Sequence, residues 1–380
     1  MTLETSSPAQ WAWPKLHEAQ RTLLLDVLVH GARSRADLAR RTGLSRASLM
    51  RLTRDLVDLG FVTESESAPG AGRGRPSDTV HLKPESAHFA GFKLTGDALY
   101  AAVTDLHAKV VTTEEHQLRS RSVDDVVGLI VDVTTRFRAE HSHLASVGVC
   151  LAGDVQEVDG GAVVRGSHFL GWNDVPLQRL VETGAGLPTA ISNDVQALTV
   201  AHHWFGAGVG CRSLAVIGLG AGVGAGIVAN DELIRGSRGH PGKVGHVFVT
   251  GTGPRCDAGH QGCASAYVTI PAFVRNAGAL DFADALARAA GGDERAVTAL
   301  DDAGRALGVI IAELTNFVDP EKIVVTGEGL PIVRSALDRV TATAMERRDP
   351  AAEPTELDLR DFDFADYAWA AAISAIRQVV

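Results

Sequence analysis

Between Gly31 and Gly60 the chain carries two short amphipathic segments, each opened by a serine and separated by Thr42-Gly43-Leu44. No other stretch limits the fold as tightly. Ser34 and Ser45 are side chains that cap helix N-termini, and Gly43 is free to take the positive φ of a tight interhelical turn. Leu38 and Ala39 face inward from the first segment. Leu49, Leu52, Leu56 and Leu59 recur at spacings of three and four in the second, which Gly60 ends. A preceding helix is predicted over residues 17–30, with Leu23, Leu24, Val27 and Leu28 on one face and Gly31 as its stop. Two short helices about a glycine turn form the helix-turn-helix pattern. In that motif the first turn of the second helix meets base edges. Here it holds Ser45, Arg46, Ala47 and Ser48, with Arg51 one turn on. Arginine can bond a guanine edge in bidentate fashion, and serine a phosphate or a base. Ser34 and Arg35, which open the helix before, complete the candidate DNA-binding set on these elements.

Residues 61–63 and 79–82 alternate like two short strands around a Gly- and Ser-rich segment, a pattern that predicts a wing hairpin. That segment contains Gly72-Arg73-Gly74-Arg75-Pro76. Arg73 and Arg75 flanking Gly74 on an extended backbone suit a narrow, A·T-rich minor groove; a basic linker is the alternative. Over residues 31–55 the basic side chains are Arg33, Arg35, Arg40, Arg41, Arg46, Arg51 and Arg54, against only Asp37 and Asp55. The chain as a whole carries a net charge of -10. A basic patch on an acidic chain points to one DNA-facing module attached to something else, although the patch alone is equally a solvated helix face.

The remainder has a different texture. Its 40 glycines and 5% aromatics, within a chain of 380 residues, suit turn-rich α/β domains. Apolar runs at 90–94 and 98–105 flank Thr95-Gly96-Asp97, a hairpin signal, and 110–117 reads as a third strand. A helix is predicted over 123–140, a buried strand over 147–151 and another over 189–192. A second set starts at Ser213, with strands at 214–217, 224–229 and 322–325 and a helix near 305–317. Two such lobes imply a cleft, the default ligand site. The glycines from Gly218 to Gly226 allow either close approach of a ligand to the backbone or a tight hairpin with no ligand. No apolar run approaches the roughly 20 residues of a membrane span, and no leader pattern opens the chain. Four cysteines make no disulfide framework. A cytoplasmic location is expected, with no membrane partner.

Ile191-Ser192-Asn193-Asp194-Val195-Gln196-Ala197, Trp204-Phe205-Gly206-Ala207-Gly208, Leu219 to Gly226, Gly245-His246, Cys256 and Gly259-His260-Gln261-Gly262-Cys263 occur in that order. Together they resemble the ROK family of sugar kinases and repressors, and the Gly-Arg-Gly-Arg-Pro wing resembles its repressor branch. The resemblance covers nearly the whole chain. It implies an N-terminal winged helix-turn-helix followed by a two-lobed actin-like, sugar-kinase-like ATPase fold. The domains would be 1–82, a first lobe at 83–195 to which helix 366–380 returns, and a second lobe at 196–365. Family kinases open this domain with an Asp followed by a Gly-Gly-Thr loop that holds ATP phosphates. Here Lys93 stands in the Asp position and the glycine pair is missing. Asp194 matches the family's catalytic base. Phosphoryl transfer depends on positioning phosphate and metal, so no enzyme activity and no ATP are expected, and an active sugar kinase is the less favoured alternative.

The implied sugar site departs from the family pattern as well. Lys243 and Ser265 replace two family glutamates, and His168 replaces an Asn, while Asn193, Asp194 and His246 are kept. Carboxylates suit neutral sugar hydroxyls because they accept hydrogen bonds strongly, so the pocket is less acidic than the family's. Two readings stay open: an effector bearing a carboxylate or phosphate, or a vestigial pocket in which Lys243 pairs with Asp194. A regulator controlled by a partner and blind to ligand fits the second. The family's zinc site is a His with three Cys. His246, Cys256 and Cys263 stand in place but Ala258 occupies the middle position, leaving Asp257, His260 or water to complete the set. The resemblance further implies repression, an inverted-repeat operator on double-stranded DNA, a sugar or sugar-derived effector and a homodimer or homotetramer. Trp11 and Trp13 suit packing against the winged domain or against a partner subunit.

Overall fold

The computed structural model describes residues 11–65, 78–239 and 242–380. The chain divides into two compact units, one running to Asp194 and including Tyr367–Val380, the other Val195–Asp366. The winged module and the first lobe both fall within the first of these units.

The unit opens with α1 (Glu18–His30), capped by a box in which the His17 ring accepts from the Gln20 amide and the Gln20 side chain accepts from the His17 amide. β1 (Arg33–Ser34), α2 (Arg35–Thr42) and α3 (Arg46–Asp58) follow. Gly43 ends α2 at φ 70°, the left-handed conformation that the interhelical turn requires. Leu23, Leu24, Val27, Leu28, Leu38, Leu49, Leu52 and Leu56 are all buried. Leu59, expected on the same inward face, lies past the end of α3 and is 42% exposed. The helix unwinds one residue too early to carry it into the core. β2 (Val62–Ser65) and β3 (Thr79–Leu82) pair antiparallel from Val62↔Leu82 to Ser65↔Thr79, and β1 adds to the other edge of β3.

The first lobe is built on β4 (His88–Leu94), β5 (Ala98–Asp105), β6 (Val110–Gln117), α4 (Val123–Glu140) and β7 (Leu144–Leu151). There follow a meander of β8 (Asp154–Val158), β9 (Gly161–Ser167) and β10 (Trp172–Val175), then α5 (Leu177–Ala185) and β11 (Thr189–Asn193). The sheet order is β11-β7-β4-β5-β6, parallel through β11, β7 and β4 and antiparallel beyond. Ala90, Phe92 and Leu94 bury against Val126, Ile130, Val133 and Phe137 of α4. α6 (Asp194–Phe205) begins where β11 ends.

The second unit repeats the plan. β12 (Leu214–Leu219), β13 (Val223–Ala229) and β14 (Glu232–Leu233) form an antiparallel run. Helices α7 (Ser265–Val268), α8 (Ile270–Ala277), α9 (Phe282–Ala290) and α10 (Glu294–Val318) precede β15 (Lys322–Thr326), α11 (Leu330–Ser335), α12 (Leu337–Arg347) and β16 (Glu356–Leu359). The order is β14-β13-β12-β15-β16, with β12, β15 and β16 parallel. α10 starts eleven residues before the helix read from the sequence, at the Asp293 cap.

The last helix, α13 (Phe364–Val379), returns to the first lobe and lies directly on its sheet. A Cβ added to Gly91 of β4 would sit 2.0 Å from the Ala368 carbonyl, and one on Gly148 of β7 only 1.8 Å from that of Ala371. Ala370, Ala371, Ala372, Ile373, Ala375 and Ile376 are fully buried there. Ser146 Oγ donates to the Ala375 carbonyl at 2.7 Å and Cys150 Sγ to that of Tyr367 at 3.3 Å. Gly148→Ala forces backbone apart in a close-packed layer, so the midpoint of urea unfolding should fall by an amount worth ~1–3 kcal/mol. Gly128→Ala, on the exposed face of α4 with nothing within 4 Å of the new methyl, should instead be neutral or stabilising by ~0.5–1 kcal/mol. Equal losses at both positions would contradict the packing described.

Candidate functional site

The helix-turn-helix presents an exposed face rich in arginine. Ser45 caps α3 by accepting from the Ser48 amide at 3.1 Å, and its hydroxyl donates to Ser48 Oγ at 2.9 Å. The caps fix the first turn of α3 and leave Arg46 and Ala47 exposed, followed by Met50 at 51% exposure, Arg51 and Arg54. Among the described residues, Arg46, Arg51 and Arg54 have no carboxylate partner. Their charge is therefore available to a polyanion.

Ser34 and Arg35 are placed differently. Ser34 Oγ accepts from the Asp37 amide at 3.1 Å and donates to Asp37 Oδ2 at 2.8 Å. The Arg35 guanidinium is held by Glu64 of β2, with Nε at 2.8 Å, and by Asp78 beside β3, with Nη1 at 2.8 Å. Its backbone amide also donates to the Asp78 carbonyl at 3.1 Å. The bond to Glu64 is the main reason that its pKa is raised further above the arginine range, burial opposing and the charges of Glu64 and Asp78 assisting. Arg35 clamps the base of the wing to the start of α2 and is not a free phosphate ligand. No local pattern marks this clamp, because Glu64 is 29 residues away along the chain. Arg73, Gly74 and Arg75 lie outside the described residues.

Lys93 and Asp194 meet near the end of β4. Lys93 Nζ lies 2.5 Å from Asp194 Oδ2, and both residues are buried. The ammonium also sits 4.2 Å from the centre of the Tyr367 ring, at the start of α13. Beneath it, burial pushes the Cys150 thiol up to about 12, with Lys93 lowering it and Asp194 raising it, so this cysteine stays protonated. Asn193 Nδ2 donates to the Gly153 carbonyl at 3.0 Å and fixes the end of β11. His168 is exposed after β9, its ring 6.2 Å from Phe169. The β4–β5 connection is a closed hairpin: Thr95 donates to the Ala98 carbonyl at 3.0 Å, and Arg121 Nε donates to that of Gly96 at 2.5 Å.

In the second unit the glycine-rich stretch is a tight turn between β12 and β13, closed by the Gly220 amide on the Gly222 carbonyl at 2.9 Å. The Glu328 carboxylate lies against it: a Cβ on Gly220 would be 2.3 Å from Glu328 Oε2. Lys243 is exposed and precedes the short turn of helix Val244–His246. Ser265 opens α7, its Oγ close enough to Gly245 that a Cβ there would stand 2.4 Å away.

His246, Cys256, His260 and Cys263 bring one ligand atom each within 4.8 Å of one another. His246 Nδ1 is 3.9 Å from Cys256 Sγ, 3.7 Å from Cys263 Sγ and 3.2 Å from His260 Nδ1. Tetrahedral zinc with N and S ligands at 2.0–2.3 Å separates ligand atoms by about 3.3–3.8 Å, so the set fits that metal. His260 is the fourth member of this group, and Ala258 has no part in it. Asp257 is turned away, 87% exposed at its side chain and 3.6 Å from Arg275.

The ROK family profile matches residues 89–349, and a MarR-family profile matches residues 18–74. The DNA-binding transcriptional repressor Mlc of Escherichia coli K12 is 27% identical over 331 residues, covering 82% of this chain and 80% of that protein. A solved ROK family transcriptional regulator, described as a homologue of the Escherichia coli Mlc protein, superposes with a TM-score of 0.82 at 23% identity over 95% of this chain and 96% of the other. A ROK hexokinase from Thermus thermophilus superposes at 0.69, also at 23% identity, over 77% of this chain and 99% of its own.

Arg35→Ala should loosen the wing while leaving the α3 face intact. Affinity for DNA is expected to fall by an amount worth ~1 kcal/mol, the scale of lost exposed ion pairs and one hydrogen bond, without a change in the preferred sequence at the α3 contacts. A loss of sequence preference at those contacts would mean that Arg35 reads bases itself.

Proposed function

The chain belongs to the ROK family, and we propose that it is a sequence-specific DNA-binding transcription regulator, acting as a repressor. Its operator affinity is set by a sugar-like effector in a kinase-like domain that transfers no phosphate. The observation that carries the reading is the exposed Arg46–Arg51 face of α3, with its ladder of buried leucines behind it, standing ahead of the family domain. Arg46 and Arg51 read base edges in the major groove, Ala47 and Ser48 lie alongside, and Ser45 orients the helix. Arg73, Gly74 and Arg75 enter the minor groove from the wing. A dimer or tetramer places two such helices on an inverted repeat.

Two charge placements support the absence of phosphoryl transfer. A general base must be free to take the proton of the substrate hydroxyl, and the Asp194 carboxylate is held by a buried ammonium. The Glu328 carboxylate against the glycine turn sets a negative charge where a nucleotide's phosphates would approach. Asn193, Asp194 and His168 are the residues we assign to effector binding within the first unit; Lys243, His246 and Ser265 are those we assign within the second. Zinc, when bound, holds the loop around Cys256 and Cys263 as a closed structural site, with His246 and His260 completing it. The chain's own residues orient the two imidazoles and the two thiols.

Selection from a random DNA pool tests the reading directly. The full chain should recover an inverted repeat, and Arg46→Ala or Arg51→Ala should weaken binding by ~1–3 kcal/mol per lost base contact and relax preference at single positions. Salt-sensitive binding without preference would contradict it. For the metal, protein purified without chelator should hold about one zinc per chain, and His260→Ala should lose it on dialysis. Retention by that variant would remove His260 from the ligand set.

A further inference from the structure

The segment before α1 carries two tryptophans that the helix-turn-helix and the family domain leave without a role. Trp13 stacks on Phe61 at 4.6 Å between ring centres, with an interplanar angle of 29°, and lies 5.9 Å from Phe89. Phe61 closes the winged module between α3 and β2, whereas Phe89 belongs to β4 of the first lobe, and both are buried. Trp11 packs edge-on to Trp13 at 6.4 Å and against the His143 ring at 4.8 Å. One aromatic side chain therefore bridges the cores of the two modules.

A second connection between them is the chain from Leu82 to His88. It is anchored on the winged side by the Lys83 amide on the Phe61 carbonyl at 2.8 Å, and on the lobe side by the Leu106 amide on the Pro84 carbonyl at 3.0 Å. Turning of the winged module about this linker would separate Trp13 from Phe61 or from Phe89. The position of the ring on β4 matters as well. Phe89, Gly91 and Lys93 alternate onto one face of the strand, the face against which α13 packs at Gly91 and Tyr367 covers Lys93. The Trp13 indole nitrogen is buried with no acceptor among the described residues.

We propose that Trp13 is the positioning residue that fixes the DNA-reading module on β4 and makes the two respond as one. DNA held by α3 then constrains β4, and any change along β4 alters how α3 is presented, because a coupling free energy acts in both directions. The inference takes DNA binding from the reading above. Exchange protection of α3 reports on that reading, and protection of β4 reports on the inference.

The test is hydrogen exchange on the full chain with and without the duplex recovered by selection, for the wild type, Trp13→Phe and Trp13→Leu. In the wild type the duplex should slow exchange at residues 46–58 and also change it at residues 88–94. Trp13→Leu should keep the first effect with an operator affinity within about fivefold of wild type, and lose the second. Trp13→Phe, which keeps a ring between Phe61 and Phe89, should retain both. A β4 response undiminished in Trp13→Leu would overturn the proposal, as would a wild type in which α3 is protected and β4 unchanged. Absence of protection at α3 would overturn the DNA-binding reading and the inference with it.

Discussion

The buried contact of Lys93 with Asp194 joins three separate parts of the chain: β4, the junction of β11 with α6, and, through the Tyr367 ring, the first turn of α13. Two charges taken out of water are stable only when paired, and their mutual attraction roughly offsets the desolvation of both. Removing either partner leaves an uncompensated buried charge at a cost of about 3–5 kcal/mol. The pair consequently does two things at once. It holds the C-terminal helix register on a sheet that accepts it through Gly91 and Gly148, and it engages the Asp194 carboxylate.

The second unit alters charge in the opposite sense. Glu328 brings a carboxylate to the glycine turn between β12 and β13, where a phosphate-binding loop relies on bare backbone amides. A lysine where a carboxylate belongs, and a carboxylate beside a phosphate-type turn, leave the fold intact because neither disturbs the sheets. A fold does not by itself fix function. A ligand-reading role needs only that binding energy differ between two states of the protein.

Much of this was legible in the sequence because the local signals were strong. Ser34, Gly43 and Ser45 mark α2, its turn and α3; Thr95-Gly96-Asp97 marks the β4–β5 hairpin; and the Ala-rich end marks α13. What could not be read depends on partners far apart along the chain. The role of Arg35 rests on Glu64 and Asp78, and the pairing of Lys93 on a residue 101 positions away. The meander β8–β10 carries little signal along the chain because its strands are short, polar and broken by glycines, with Val155, Ala162, Val164, Trp172 and Val175 turned into the core. His260 stood among three choices for the metal set, and only the folding of the 256–263 loop separates it from Asp257. The joint at Trp13 was open between two packings, since nothing in the sequence selects Phe61 and Phe89 over a partner chain.

The central claim is that this kinase-like domain reads a ligand and performs no chemistry on it. One titration tests it: operator affinity of the full chain measured across neutral and anionic sugars, with and without magnesium ATP, while ADP is followed in the same sample. The account predicts that a sugar shifts operator affinity to the same extent whether or not ATP is present, and that no ADP forms. Sugar-dependent ADP formation by the wild-type chain would contradict it, and the contact between Lys93 and Asp194 would then have to open during turnover.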